Sequence, residues 1–276
     1  MFYKYHKKSS SFANESVRKL SKQLAAKKIG HSGILDPLAS GLMIVATDSD
    51  TKLLQYISNK TKSYIATCFF GYYSESYDID TKYEKVTDKL ITKEELLLAI
   101  DKIKKQTSQI PPIYSAKKIN GQKAYDLARQ NIKVELKPQK ITIHKLELLE
   151  FDFEKQSAKI QMQVSEGTYV RSILMDIAKE CNSSAVMDSL IRTACGNVTL
   201  DNLKQQETEE INLTDLFDYQ ILEINDAQAK ELSYGRSFQI TKNDAIYLLS
   251  KNKQIVSVGE VKQNTYYPKK VFLERL

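Results

Sequence analysis

Apolar residues at Val17, Leu20 and Leu24 recur at i, i+3 and i+7 behind Asn14, which predicts an amphipathic helix capped by that asparagine. Lys62 to Phe70 is rich in β-branched and aromatic side chains and runs into Gly71, the pattern of a buried strand. Thr92 followed by Glu95 forms a capping box ahead of Leu96, Ile100 and Ile103, so a second helix is expected there. Between the two, Tyr72 to Lys89 is polar and predicts irregular chain. Ile141 to Phe153 and Ala158 to Val164 read as strands, the second with clean alternation at Ile160, Met162 and Val164. Thr168 opens a helical stretch carrying Val170, Ile173, Leu174 and Ile177. After the polar run Gln205 to Glu210 the texture changes: short strands at Ala245–Leu249 and Gln254–Val258 flank a turn at Lys251-Asn252. The pattern predicts an α+β domain over residues 1–218 and a small β-rich domain over 219–276, with no internal repeat and no sustained heptad.

Composition narrows the class. The 276 residues are 42% hydrophobic and 27% charged, too apolar for a disordered chain. The longest apolar runs, such as Leu96 to Ile100, are too short to cross a bilayer, and the first residues have no apolar core of a signal peptide. Three cysteines (Cys68, Cys181, Cys195) form no CxxC pair, and three histidines (His6, His31, His144) are scattered. A disulfide framework and a zinc site are therefore not expected; a reducing cytoplasm and no metal are. The net charge of +7 is modest, but its distribution is uneven. From Lys102 to Lys145, eleven basic residues face only Asp126 and Glu135, a net +9. Such a block attracts polyanions, and Tyr114 and Tyr125 within it offer stacking surfaces. Nucleic acid is the expected partner; a solvated basic face is the competing reading.

Glycine is scarce, nine in the chain, yet three (Gly30, Gly33, Gly41) fall within the twelve residues GHSGILDPLASG. Glycine permits tight turns and close backbone approach, so this loop brings its backbone near something. It carries His31, Asp36 and Pro37, and the proline biases Asp36 towards an extended conformation that fixes the direction of its carboxylate. The loop is either a structural turn with Asp36 capping the next segment, or a mount for a reactive carboxylate. No GxxxxGK[ST] or GxGxxG stretch is present, which argues against nucleoside triphosphates and NAD.

At this loop the chain resembles a known family. KKIGHSGILDPLASG is similar to the GH[TA]GTLDPLA[TS]G signature of bacterial tRNA pseudouridine synthases of the TruB type. KSYIATCFFG, IPPIYSAKKINGQKAYDLAR, SEGTYVRSILMDIA and SLIRTACG resemble further family segments in the same order. The resemblance implies a mixed or antiparallel-sheet synthase domain and, more loosely, a PUA-like RNA-binding domain from Tyr219 to Leu276. It implies isomerisation of uridine to pseudouridine at position 55 in the T loop of tRNA, by base flipping and an aspartate nucleophile. The partner is then the T stem-loop; no cofactor, no membrane and no obligate protein partner are expected.

Residue by residue, the family's nucleophile falls on Asp36. A carboxylate in a closed pocket is pushed towards protonation unless a cation holds it ionised, and Arg171 of GTYVR is the matching cation. Tyr64 matches the tyrosine that stacks on the extruded base and is placed to serve in removing the C5 proton. Tyr169 matches a second pocket tyrosine, Leu190 an apolar floor and His31 a residue that contacts RNA during extrusion. Asp78 is the best match to an aspartate in a looser acidic run, and Lys117, Lys118 and Lys123 are the expected phosphate contacts. The chain departs from the family's K-P-x-G-x-[TS]-S start: Lys8 aligns with the lysine, while Ser9 and Ser11 replace the proline and glycine. Ile34 replaces a signature threonine. The alternative reading is a non-catalytic RNA-binding or tRNA-folding protein on the same scaffold, which would have no need of Asp36, Tyr64 and Arg171 together.

Overall fold

The computed structural model describes residues 1–115, 117–119, 121–130, 132 and 136–276, with the backbone alone at 118, 119, 123 and 129. The chain divides into two compact units, Met1–Gln55 with Asn59–Asn212, and Tyr56–Ser58 with Leu213–Leu276. The second unit thus begins at Leu213, ahead of the expected 219, and takes in a short piece of distant sequence.

The first unit is built on a mixed sheet with the strand order Ile143–Asp152, Ser157–Val164, Lys62–Phe70, Ala185–Cys195, Ser40–Thr47, Phe2–Lys7, Thr208–Glu210. Every neighbouring pair in it is antiparallel except Ala185–Cys195 with Ser40–Thr47, which run parallel through Ile191 beside Ser40 and Arg192 beside Gly41. Ser40–Thr47 is buried at every residue, as its unbroken SGLMIVA run dictates for a central strand. Lys62–Phe70 instead alternates, with Tyr64, Ala66, Cys68 and Phe70 buried. Those residues meet Val170, Ile173, Leu174 and Ile177 of the helix Val170–Glu180, and Leu96, Ile100 and Ile103 of Lys93–Ile103, in one core.

The capping box of Thr92 and Glu95 is formed as the sequence predicts. Two helix starts differ. The first helix spans Ala13–Gln23 with Phe12 at its N-cap and no side-chain cap, so Asn14 lies in the first turn; burying Ala13 and Ser16 beside Val17 and Leu20 draws the start earlier. The helix expected to open at Thr168 begins at Val170, with Tyr169 as its N-cap. The segment 72–89 is largely irregular, as its polarity predicts, yet Ser74, Ser76 and Asp78 are buried and hydrogen-bonded within it.

The second unit is a five-stranded sheet ordered Gln220–Glu223, Ala245–Lys251, Gln254–Lys262, Thr265–Val271, Phe238–Gln239. With the helix Asp226–Ser233 it encloses its own core of Leu232, Tyr247, Leu249, Val256, Val261 and Tyr266. Its hairpin turns at Asn252 and Lys253, both left-handed (φ 51° and 63°), one residue beyond the expected turn. Two left-handed residues give the twist that a two-residue hairpin loop requires.

Candidate active site

The loop 32–39 between the strands Ile29–His31 and Ser40–Thr47 carries Asp36. Asp36 opens a turn, closed by the Ala39 amide donating to the Asp36 carbonyl at 3.1 Å, with Pro37 in the turn's second position, where its fixed φ is favoured. Two buried cations clamp this loop from beneath. Lys7, at the end of Phe2–Lys7 and wholly buried, donates from Nζ to the carbonyls of Ala39 (2.6 Å), Asp36 (3.2 Å), Pro37 (3.2 Å) and Lys8 (3.1 Å). Arg192, also wholly buried, donates to the carbonyls of Leu42 (2.6 Å), Gly33 (3.1 Å) and Ile34 (3.4 Å). Gly41 has φ +110°, and a Cβ there would lie 2.3 Å from the Arg192 carbonyl oxygen, so only glycine allows the parallel strands this close.

Lys7, and not Lys8, is therefore the lysine that holds the Asp36 loop. Lys8 is exposed, and Ser10, with φ 56°, takes the left-handed conformation that suits a glycine. Setting Lys7 at the family's lysine places Ser10 at its glycine, one residue earlier than the register through Lys8. Ser9 still contributes, donating from Oγ to the Leu38 carbonyl at 2.7 Å. Burial pushes the Lys7 ammonium down to about 8, with Asp36 opposing. The unfolded chain keeps that proton to higher pH, so Lys7 by itself makes the fold more stable as pH rises from about 8 towards 10.5. Replacing Lys7 with Met is expected to lower kcat by roughly 10- to 100-fold through loop misplacement, with RNA affinity within a few fold of the parent. Parallel kcat and Kd measurements check this; an unchanged kcat would show that the loop holds its shape without the clamp.

Above the loop, Asp36 faces a cleft of about 250 Å³ lined also by Leu35, Lys62, Tyr64, Tyr169, Arg171 and Leu190. Arg171, on the first turn of Val170–Glu180 and 5% exposed, reaches Asp36 Oδ2 with Nη2 at 3.0 Å and Asp78 Oδ2 with Nη1 at 3.2 Å. It also donates to the carbonyls of Ser76 (2.7 Å) and Tyr114 (3.0 Å). The guanidinium is thus fixed in a plane by four acceptors while Asp36 keeps a third of its side-chain surface open. Asp78 is buried, is not among the cleft-lining residues, and accepts from Ser76 Oγ at 2.6 Å and the Asp80 amide at 3.1 Å. Burial pushes its carboxyl up, with Arg171 and Ser76 pulling it back.

Tyr64 is buried on the strand Lys62–Phe70, flanked in register by Met162 and Arg192. Burial pushes its phenol up and the Arg192 guanidinium draws it down. Leu190, on the neighbouring strand, is buried and lines the cleft. The Tyr169 backbone is held at both ends by Gln109, whose Oε1 accepts from the Tyr169 amide at 2.9 Å and whose Nε2 donates to its carbonyl at 3.0 Å. His31 sits half-buried outside the lining, its Nδ1 accepting from the Gly33 amide at 3.3 Å. Burial, Arg192 and Lys62 push its imidazole down, which favours the neutral form.

The structure therefore gathers Asp36, Tyr64, Tyr169, Arg171 and Leu190 around one cleft and sets Asp78 behind Arg171. Lys117 lies elsewhere, its Nζ donating to Gln139 Oε1 at 3.2 Å; the side chains of Lys118 and Lys123 fall outside the described residues. Lys7, Gln109 and Arg192 escaped sequence reading. Arg192 stands within the quoted SLIRTACG segment, and the only signal for Lys7 is a lysine at the buried end of an apolar strand.

The TruB family pseudouridylate synthase N-terminal domain matches residues 21–170. A protein of Mycoplasma mobile described as tRNA pseudouridine synthase B is 37% identical over 94% of this chain and 90% of its own. A protein of Mesomycoplasma hyopneumoniae with the same description is 38% identical over 99% of this chain and 82% of its own. Among solved structures, a chain of a Cbf5-Nop10-Gar1 complex superposes with a TM-score of 0.68 at 18% identity, covering 99% of this chain and 86% of that one, a likeness of fold. With more than half its residues in the matched domain and relatives that align nearly end to end, the chain belongs to the TruB family of pseudouridylate synthases.

Proposed function

We propose that the protein isomerises uridine to pseudouridine in the T loop of tRNA, at position 55, with Asp36 as nucleophile. The observation that carries this reading is the Asp36–Arg171 ion pair at 3.0 Å, open to a cleft lined by Leu190 and Tyr64. The reaction breaks the N1–C1′ bond, forms a C5–C1′ bond, and moves the C5 proton away while N1 gains one; no electrons are exchanged. A carboxylate oxygen that bonds transiently to the substrate and then leaves is the group such a rearrangement needs. Arg171 aims that oxygen from 3.0 Å, and Asp78 positions Arg171. The raised Tyr64 phenol is protonated at rest, which suits stacking on the uracil; it can take the C5 proton only by handing its own onward.

A base paired or stacked in the T loop must leave its stack to reach the cleft, at a cost of a few kcal/mol. Phosphate contacts from the basic segment 102–145 and stacking on Tyr64 and Tyr169 offset it. Residues Leu213–Leu276 serve as a PUA-like module gripping the rest of the tRNA. Purified protein and a T stem-loop RNA test the reading: pseudouridine is expected at a single loop uridine, and Kd should rise steeply with salt, by several log units per log unit if several phosphates are neutralised. Salt-insensitive binding, or no pseudouridine, would contradict it. The non-catalytic alternative predicts binding without isomerisation.

A further inference from the structure

The cations around the cleft are unequally matched by acids. Arg171 faces two carboxylates, Asp36 and Asp78. Lys62 makes no ion pair among the described residues, although Glu166 lines the same cleft. Glu166, the acid whose charge reaches it, is itself 3.9 Å from Lys60 and half-exposed. The Lys62 ammonium packs against the loop, 2.8 Å from the point a Cβ on Gly33 would occupy, and Arg192 Nη1 lies 3.8 Å from that same point. Arg192 spends its donors on the neutral carbonyls of Gly33, Ile34 and Leu42, so its charge is left standing. His31 lies within the field of both. Burial pushes the Lys62 ammonium down, and Arg192 adds to it while Glu166 opposes. An anion placed here relieves that repulsion.

We propose that Lys62 binds a backbone phosphate of the RNA, the one adjoining the nucleotide being isomerised. The inference rests on the functional reading above. Lys62 and Tyr64 are two residues apart on one strand and point to the same face, about 7 Å along it. That spacing is the reach from a base to its own phosphate. A uracil stacked on Tyr64 near Asp36 therefore leaves its phosphate at the Lys62 end of the cleft, and the contact sets the base in register with the nucleophile.

A methylphosphonate scan of the T stem-loop tests this, because each substitution neutralises one phosphate. With the parent protein, one position beside the target uridine should weaken binding by about tenfold. Lys62→Met should lose a similar factor on native RNA, lose nothing further from that methylphosphonate, and lower the slope of log Kd against log salt by about 0.7–0.9. Lys62→Arg should recover most of the affinity. Lys62→Met that matches the parent at every salt concentration, or losses that multiply where they should overlap, would overturn the phosphate site alone. The scan on the parent protein needs no variant, and a flat profile beside the target also overturns it. A parent that neither binds nor isomerises the stem-loop overturns the functional reading, and the site with it.

Discussion

Asp36→Asn is expected to abolish pseudouridine formation while leaving T stem-loop affinity within a few fold of the parent. The amide keeps the shape of the side chain, so the turn at Pro37 and the Lys7 clamp on the Asp36 carbonyl persist, since both act through backbone. What is lost is the negative charge 3.0 Å from Arg171 and the oxygen that bonds to the substrate. Asp78 does not replace it, being buried and bound to Ser76 and Arg171. A missing nucleophile removes a step outright, whereas a displaced one only slows it. Single-turnover assays with equilibrium binding on the same variant separate the two effects. Tyr64→Phe is the companion: it keeps the stacking ring, and its loss of turnover measures what the phenolic oxygen does in proton removal.

Arg171→Met carries the second large effect, on stability and turnover together. Its guanidinium is 5% exposed and satisfies two carboxylates and two backbone carbonyls. Removing one partner of a buried ion pair costs roughly 3–5 kcal/mol, because the remaining charge stays buried and unpaired. Asp78 bears most of this. Its carboxyl already lies above its ordinary value through burial, and Arg171 is the leading influence holding it down. Without Arg171 it rises further. A carboxyl whose folded pKa exceeds its unfolded value binds more protons in the folded state, so stability falls as pH climbs through that interval. The deficit of the variant against the parent should thus be small near pH 4 and grow towards pH 7. Urea midpoints from pH 4 to 8 measure it, and a deficit independent of pH would show that Asp78 is not the group left stranded.

Much of the core was legible in the sequence because it rests on local rules. Lys62–Phe70 and the Thr92 capping box follow from β-branched alternation and reciprocal side-chain capping, each decided within a few residues. The glycine-dense loop around Asp36 was legible because its glycines answer to close approaches, such as Gly41 against the Arg192 backbone. Asp36, Tyr64, Tyr169, Arg171 and Leu190 were found through family segments, and the fold brings them to one cleft. What stayed hidden depends on contacts distant in sequence. Arg192 meets Gly33 and Ile34 across 159 and 158 positions, and Gln109 meets Tyr169 across 60, with nothing in the local pattern of either to announce it. Lys7 was displaced by one because two lysines stand side by side, and only burial separates them. The boundary at Leu213 moved because Tyr56–Ser58, over 150 residues earlier, folds with the second unit, its Ser58 amide donating to the Leu216 carbonyl at 3.1 Å.

The central claim is that this chain converts one tRNA uridine through Asp36. Mapping pseudouridine in cellular tRNA tests it most directly, comparing cells with the protein, without it, and with the Asp36→Asn variant in its place. Pseudouridine at T-loop position 55 is expected to disappear in the second and third cases while every other pseudouridine stays. Retention of that pseudouridine when Asp36→Asn is the only copy would contradict it.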